Sequence, residues 1–210
     1  MNIVKPKIPQ SLEPGNFQQI FNEEDPHLSQ LDIHGSVFEY EAVDRVHLSN
    51  MKISNSSFQH TQFKQIDITD VHFENCDFSN ANLSEASIHR VTFKNCKLMG
   101  VDFSDGRFGD VLYDQSLLTL CNFGDSKMEK VLFKESNLKN ADFFHCKLKK
   151  IDYSLSDIDG VSFDTTKLKG IDISTAQFES LVVSLEDLKG CIVSEWQAIA
   201  FARMMGLDVR

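Results

Sequence analysis

The sequence predicts an all-β fold, a four-sided parallel β-solenoid of about eight coils closed by a C-terminal helix. Three observations predict it. An apolar residue recurs at every fifth position from 28 to 193, like residue types recur every 20 positions, and a helical pattern begins abruptly after Val193.

The five-residue repeat comes first, because an internal repeat decides the fold before any local propensity does. From Leu28, Ile33, Phe38, Val43 and Leu48 through to Phe178, Val183, Leu188 and Val193, no position in the series is polar. With 41% hydrophobic residues overall, chance does not produce such a run. Of the 17 Phe, 13 fall on it, against 3 Tyr and 1 Trp in the whole chain, so the aromatic role is apolar packing. A period of five fits neither a helix nor an extended strand. It requires a backbone that turns a corner every five residues. Two positions before each apolar centre (i−2, with the centre as i) lie small or β-branched residues such as Cys76, Ala81, Ala86, Val91, Cys96 and Val101. These point inward with the centres. The remaining positions are mostly Asp, Asn, Ser, Lys and Gly, and face water.

The i−2 positions also fix the number of sides. Val71, Val91, Val111 and Val131 are followed by Ile151 and Ile171, and Ser36, Ser56, Cys76, Cys96, Ser116, Ser136 and Ser156 form a second set. Type recurs every 20 residues, so four repeats close one coil. Rungs ~4.8 Å apart then give a rod of roughly 40 Å. Phe73, Phe93, Tyr113, Phe133 and Tyr153 should stack as an aromatic column, and Asn55, Asn75, Asn95 and Gln115 as a corner ladder of amides.

The ends differ from the body, giving three segments: 1–27, 28–193 and 194–210. All four prolines lie in the first 26 residues, and Phe17, Ile20 and Phe21 should pack this segment on the first coil. Residues 194–206 read as a helix, with a capping box from Ser194 to Gln197 and Gly206 as a stop. Trp196, Ile199, Phe201, Met204, Met205 and Leu207 make this end more apolar than a cap needs. A cap on the last coil alone is one reading. A cap that also pairs with its copy in a two-fold homodimer is favoured, because such dimers are the commonest assembly.

A formal charge of −10 argues against direct nucleic-acid binding and suits a partner with a basic surface. The start carries no apolar leader and no run reaches membrane-spanning length, so the expected location is cytoplasmic, without membrane contact. Cys76, Cys96, Cys121, Cys146 and Cys191 all fall at i−2, which reads as packing in a reducing compartment rather than a metal site. The His residues are scattered, with no catalytic or phosphate-binding motif, and a prism offers no concave pocket. The reading is therefore a binding protein, not an enzyme, with no cofactor and no metal.

Charge divides by face. Glu85, Asp102, Asp105, Asp125, Asp142 and Asp164 project from the face centred on Leu83, Phe103, Phe123, Phe143 and Phe163. The next face, centred on Ile88, Phe108, Met128, Leu148 and Leu168, carries Arg90, Arg107, Lys127, Lys130, Lys147, Lys149, Lys150, Lys167 and Lys169. The acidic face is either a solvated surface or a partner site. Leu112, Leu117, Leu120 and Leu132 occupy outward positions near mid-rod and form a candidate apolar contact.

Ser79-Asn80-Ala81-Asn82-Leu83 and Asn140-Ala141-Asp142-Phe143 resemble the A(D/N)LXX unit of the pentapeptide-repeat family, over roughly four-fifths of the chain. The resemblance implies a right-handed quadrilateral β-helix. Ser194-Glu195-Trp196-Gln197-Ala198 and Gly206-Leu207 resemble the C-terminus of Qnr-type members, which are dimers that protect DNA gyrase and topoisomerase IV from quinolones by mimicking duplex DNA. Because the register never breaks, the likeness is to the loop-free, chromosomally encoded members. It implies gyrase or topoisomerase IV as partner, met by the acidic face in place of DNA phosphates. The alternative is a structural protein–protein interaction module with an unrelated partner.

Overall fold

The computed structural model describes residues 1–22 and 25–210; positions 23 and 24, inside the expected N-terminal segment, lie outside the described residues. From Gln30 to Gly170, every residue two beyond an apolar centre has a positive φ, near 50–60° at Asn55, Asn75, Asp105 and Asp125. This left-handed residue turns the corner. Asn, Asp and Gly supply it at low cost, which explains their density at these positions. Leu120, Leu155 and the β-branched Thr165 adopt it too, held there by the rungs on either side.

The corners connect parallel strands: β1 (Glu13–Gly15), β2 (His27–Ser29), β3 (Leu31–His34), β4 (His47–Ser54), β5 (Asp67–Glu74), β6 (Ser87–Lys94), β7 (Arg107–Asp114), β8 (Lys127–Lys134) and β9 (Lys147–Asp152). They pair in the order β1-β3-β4-β5-β6-β7-β8-β9, with β2 also on β4. From β3 onward each residue meets the one 20 positions on, as in Val71↔Val91 and Phe93↔Tyr113. The strands of β4–β8 run through a corner and so cover two adjacent sides. The other two sides are joined by single bridges, such as Asn82↔Asp102 and Lys97↔Leu117. About seven turns carry the solenoid's strands; past β9 the same register continues through bridges alone, Asp152↔Asp172 and Asp172↔Ile192.

The interior is a set of stacked columns. Phe73, Phe93, Tyr113, Phe133 and Tyr153 lie face to face with centroids 5.0–5.2 Å apart and planes within 6°. Phe123 and Phe143 meet this column edge-on. Ring spacing thus follows rung spacing, and Phe suits the column better than Tyr: the buried hydroxyls of Tyr113 and Tyr153 find no hydrogen-bond partner among the described residues. The inner serines do more than fill space. Ser116, Ser136 and Ser156 accept from the N–H of Cys96, Ser116 and Ser136 and donate to the carbonyls of Phe93, Tyr113 and Phe133. Cys121 and Thr166 make the same donation to Leu98 and Phe143. The amide ladder forms only in part: Asn75 donates to Asn55, whereas Gln115 turns to Glu135.

The N-terminal segment reaches much further than the first coil. A 3-10 helix (Phe17–Asn22) inserts Phe17 and Ile20 into the open end. The residues before it run back along the outside of the rod, so that Val4 meets Asp110 and Met1 meets Asp152.

Candidate functional site

The acidic residues lie on one flank but in three different settings. Asp102 and Asp142 share an outward column with Asn82, Asn122 and Ser162, so their charges are two rungs apart and separated by an amide. Asp102 accepts from the Ser104 N–H and from Asn122 Nδ2, both at 3.0 Å, and Asp142 accepts from the Phe144 N–H. Glu85, Asp105 and Asp125 stack at one left-handed corner on successive rungs. That corner is partly neutralised. Lys64 lies 2.9 Å from Glu85 and Gln65 donates to it at 2.6 Å, which together hold the Glu85 carboxyl below the usual carboxylate range. His145 Nδ1 lies 2.6 Å from Asp125. Asp164 is exposed at the far end of the flank.

The four leucines do not form one open patch. Leu112 and Leu132 are in-register neighbours on β7 and β8. Both line a groove of about 600 Å³ whose opposite wall is Met1, Ile3 and Pro6, so the N-terminal segment is already seated beside them. Leu117 sits on another side, bridged to Lys97 and Asn137. Leu120 is the exposed one, at a corner. Their outward pointing was readable, but not the strap, because its anchors are ordinary corner aspartates.

Those anchors are Asp70 and Asp110, which are buried although the corner position otherwise faces water. Asp70 accepts from Arg90 Nε and Nη2 at 2.6 and 2.7 Å and from the Lys7 N–H at 2.8 Å. Asp110 accepts from the Val4 N–H at 2.9 Å, and Asn50 donates to the Lys7 carbonyl. The spacing is commensurate: three extended residues span ~10 Å, as do two rungs of ~4.8 Å. The Met1 ammonium continues the series, 3.5 Å from Asp152.

At the other end, α1 (Glu195–Met204) begins with the capping box of Ser194 and Gln197. Gln197 is buried, and its Nε2 also donates to the carbonyls of Ile173 and Ala176 on the last turn. Phe201 packs on Phe178 with centroids 5.5 Å apart. Ile199 is half-buried, while Trp196 is 82% exposed and Met204, Met205 and Leu207 are exposed beside it.

Among the described residues, no group of three His, Cys, Asp or Glu is placed to hold a metal ion. No described helix is long and apolar enough to cross a membrane. The five cysteines are free thiols at the inward i−2 positions, and burial pushes Cys121 up and Cys146 up to about 12.

A four-sided parallel solenoid with a left-handed corner every fifth residue defines the class by its fold, which matches the pentapeptide-repeat fold, and residues 66–143 match the family model described as pentapeptide repeat region. The fold is similar to that of a trypsin-treated variant of QnrB1, a plasmid-mediated fluoroquinolone resistance protein, at 20% identity over 86% of this chain and 90% of that one, with a TM-score of 0.54. A second trypsin-treated QnrB1 variant aligns at 18% identity over 88% and 90%, with a TM-score of 0.47. HetL, a pentapeptide repeat protein involved in heterocyst differentiation regulation from the cyanobacterium Nostoc sp. strain PCC 7120, aligns at 15% identity over 85% and 91%, with a TM-score of 0.33. No curated protein sequence matches the chain.

Proposed function

We propose that this protein binds DNA gyrase, topoisomerase IV or both through its acidic flank and protects them from quinolones, acting in the cytoplasm as a homodimer joined through α1. The observation that carries the reading is the flank itself: Glu85, Asp102, Asp105, Asp125 and Asp142 held in rung register on an uninterrupted solenoid, with a fold similar to a fluoroquinolone resistance protein. Such a surface presents fixed negative charge at regular intervals to a groove built for a polyanion. Binding by a rigid surface, not chemistry, is the role these residues support.

The test is supercoiling by purified gyrase in the presence of a fluoroquinolone, with and without the protein. Restored supercoiling is expected, and reversal of Asp102, Asp105, Asp125 and Asp142 to Lys should abolish it, the variant's fold being checked by circular dichroism. No rescue at several-fold excess with either topoisomerase would remove the reading and leave an interaction module for an unrelated partner.

A further inference from the structure

Several outward columns of this rod place opposite charges on adjacent turns. In a parallel in-register ladder each outward residue has its counterpart one turn on as nearest neighbour, so equal charges repel and opposite ones pair. Asp70 pairs with Arg90, Glu74 with Lys94, Asp114 with Lys134 and Glu129 with Lys149, each across one turn. The longest run of stacked like charge is a basic column. Arg107, Lys127 and Lys147 are direct register partners on β7, β8 and β9, and Lys167 continues the column on the next turn. All four are exposed, and among the described residues none of them is joined to a carboxylate by an ion pair, although Asp105 and Asp125 occupy the neighbouring corner.

Beside this column runs a shallow groove of about 490 Å³. Its floor is the edge of the apolar core at Phe108 and Met128, and Gly109 keeps it open. A side chain at position 109 would meet His89, which bonds the Gly109 carbonyl at 2.9 Å. Lys147 also lines a second hollow further along, together with Lys167. The result is a track with a cation on each rung along one wall and apolar surface below.

We infer that this track is a docking site for an extended acidic segment of another polypeptide, its carboxylates meeting Arg107, Lys127, Lys147 and Lys167 and its apolar side chains lying over Phe108 and Met128. The charge complementarity is direct, and lysine stems add apolar wall to the groove. A polypeptide fits better than nucleic acid. The two rings that line the groove are a Phe108 only 4% exposed and a half-buried His89 bonded to the Gly109 carbonyl, which offer bases little to stack on.

The experiment is fluorescence anisotropy with a dye-labelled peptide of alternating Glu and Val, against a Lys/Val peptide and a single-stranded oligonucleotide. The Glu/Val peptide should bind selectively, more weakly as salt rises, and the double variant Lys127→Glu/Lys147→Glu should weaken it by about tenfold or more. A control reversal on another side, Lys97→Glu, should leave affinity unchanged. Absence of Glu/Val binding at low salt, equal loss in the control, or preference for the oligonucleotide would each overturn the inference.

Discussion

The rod's two ends are closed in opposite ways. At the N-terminal end an apolar plug enters the core: Phe17 is fully buried, with its ring 4.8 Å from both Phe38 and Phe58, and its N–H donates to Ser36 and so joins the inner serine column. The C-terminal end is held by a polar clamp instead. Gln197 satisfies two carbonyls of the last turn, and Phe201 supplies one half-buried contact, while Trp196 faces solvent. Open rungs are sticky edges and both ends must be covered. The first cap buries Phe17 and Ile20 in doing so, and of the apolar residues in its 3-10 helix leaves only Phe21 half exposed, stacked on Phe38. The second leaves Trp196, Met204, Met205 and Leu207 for another surface, which is why the proposed dimer is placed there.

Truncating the two aromatic residues should separate these roles. Phe17→Ala should destabilise the fold by about 3–5 kcal/mol, the range for a fully buried Phe, in denaturant unfolding. Trp196→Ala should change stability by less than about 0.5 kcal/mol yet shift the molecule toward monomer in light scattering. Equal losses of stability from the two would erase the distinction between plug and docking surface.

The clamp is the next largest effect. Gln197→Leu keeps side-chain volume but strands the carbonyls of Ile173 and Ala176 and breaks the capping box, at a cost of about 1–3 kcal/mol. Amide exchange should show the loss confined to α1 and the last turn, with β5–β7 unchanged. A uniform loss along the rod would mean that the turns unfold as one unit rather than fraying from the end.

The solenoid was readable because its period survives every substitution: only apolar residues occupy the centres, and 20-residue recurrence survives the change from Cys96 to Ser116. The hydrogen-bonding role of those serines was hidden, because Ala, Ser and Cys look equivalent by size. The corner's left-handed backbone showed only as a bias toward Asn, Asp and Gly, which Leu120 and Leu155 obscure. Acidic and basic columns could be laid out from the period alone. Pairings such as Lys64 with Glu85 lie 21 positions apart and are visible once corner and rung are considered together. The strap carries no period at all. Val4 and Asp110 are 106 residues apart, and nothing in the local sequence distinguishes Asp110 from an exposed corner aspartate.

That strap gives the smallest effect and the most selective one, because it is tied by carboxylates. Hydrogen bonding to Arg90 holds the Asp70 carboxyl below its ordinary range, so the folded state favours the charged form. A depressed carboxylate contributes stability that is fully present above the unfolded value of ~4 and is lost as pH falls through the folded value. Acidification from neutral to below pH ~4 should therefore loosen the strap at Lys7 before the solenoid, whose inward-facing side chains among the described residues include no carboxylate or imidazole, responds. Amide exchange at Lys7 is the measurement. Protection should fall with acid, and Asp70→Asn should remove the dependence by weakening the strap at all pH values. The Phe17 amide, bonded to the neutral Ser36 hydroxyl, should keep its protection through the same range. If Phe17 and Lys7 lose protection together, the plug and the strap are one cooperative element, and the N-terminal cap extends as far along the rod as Asp152.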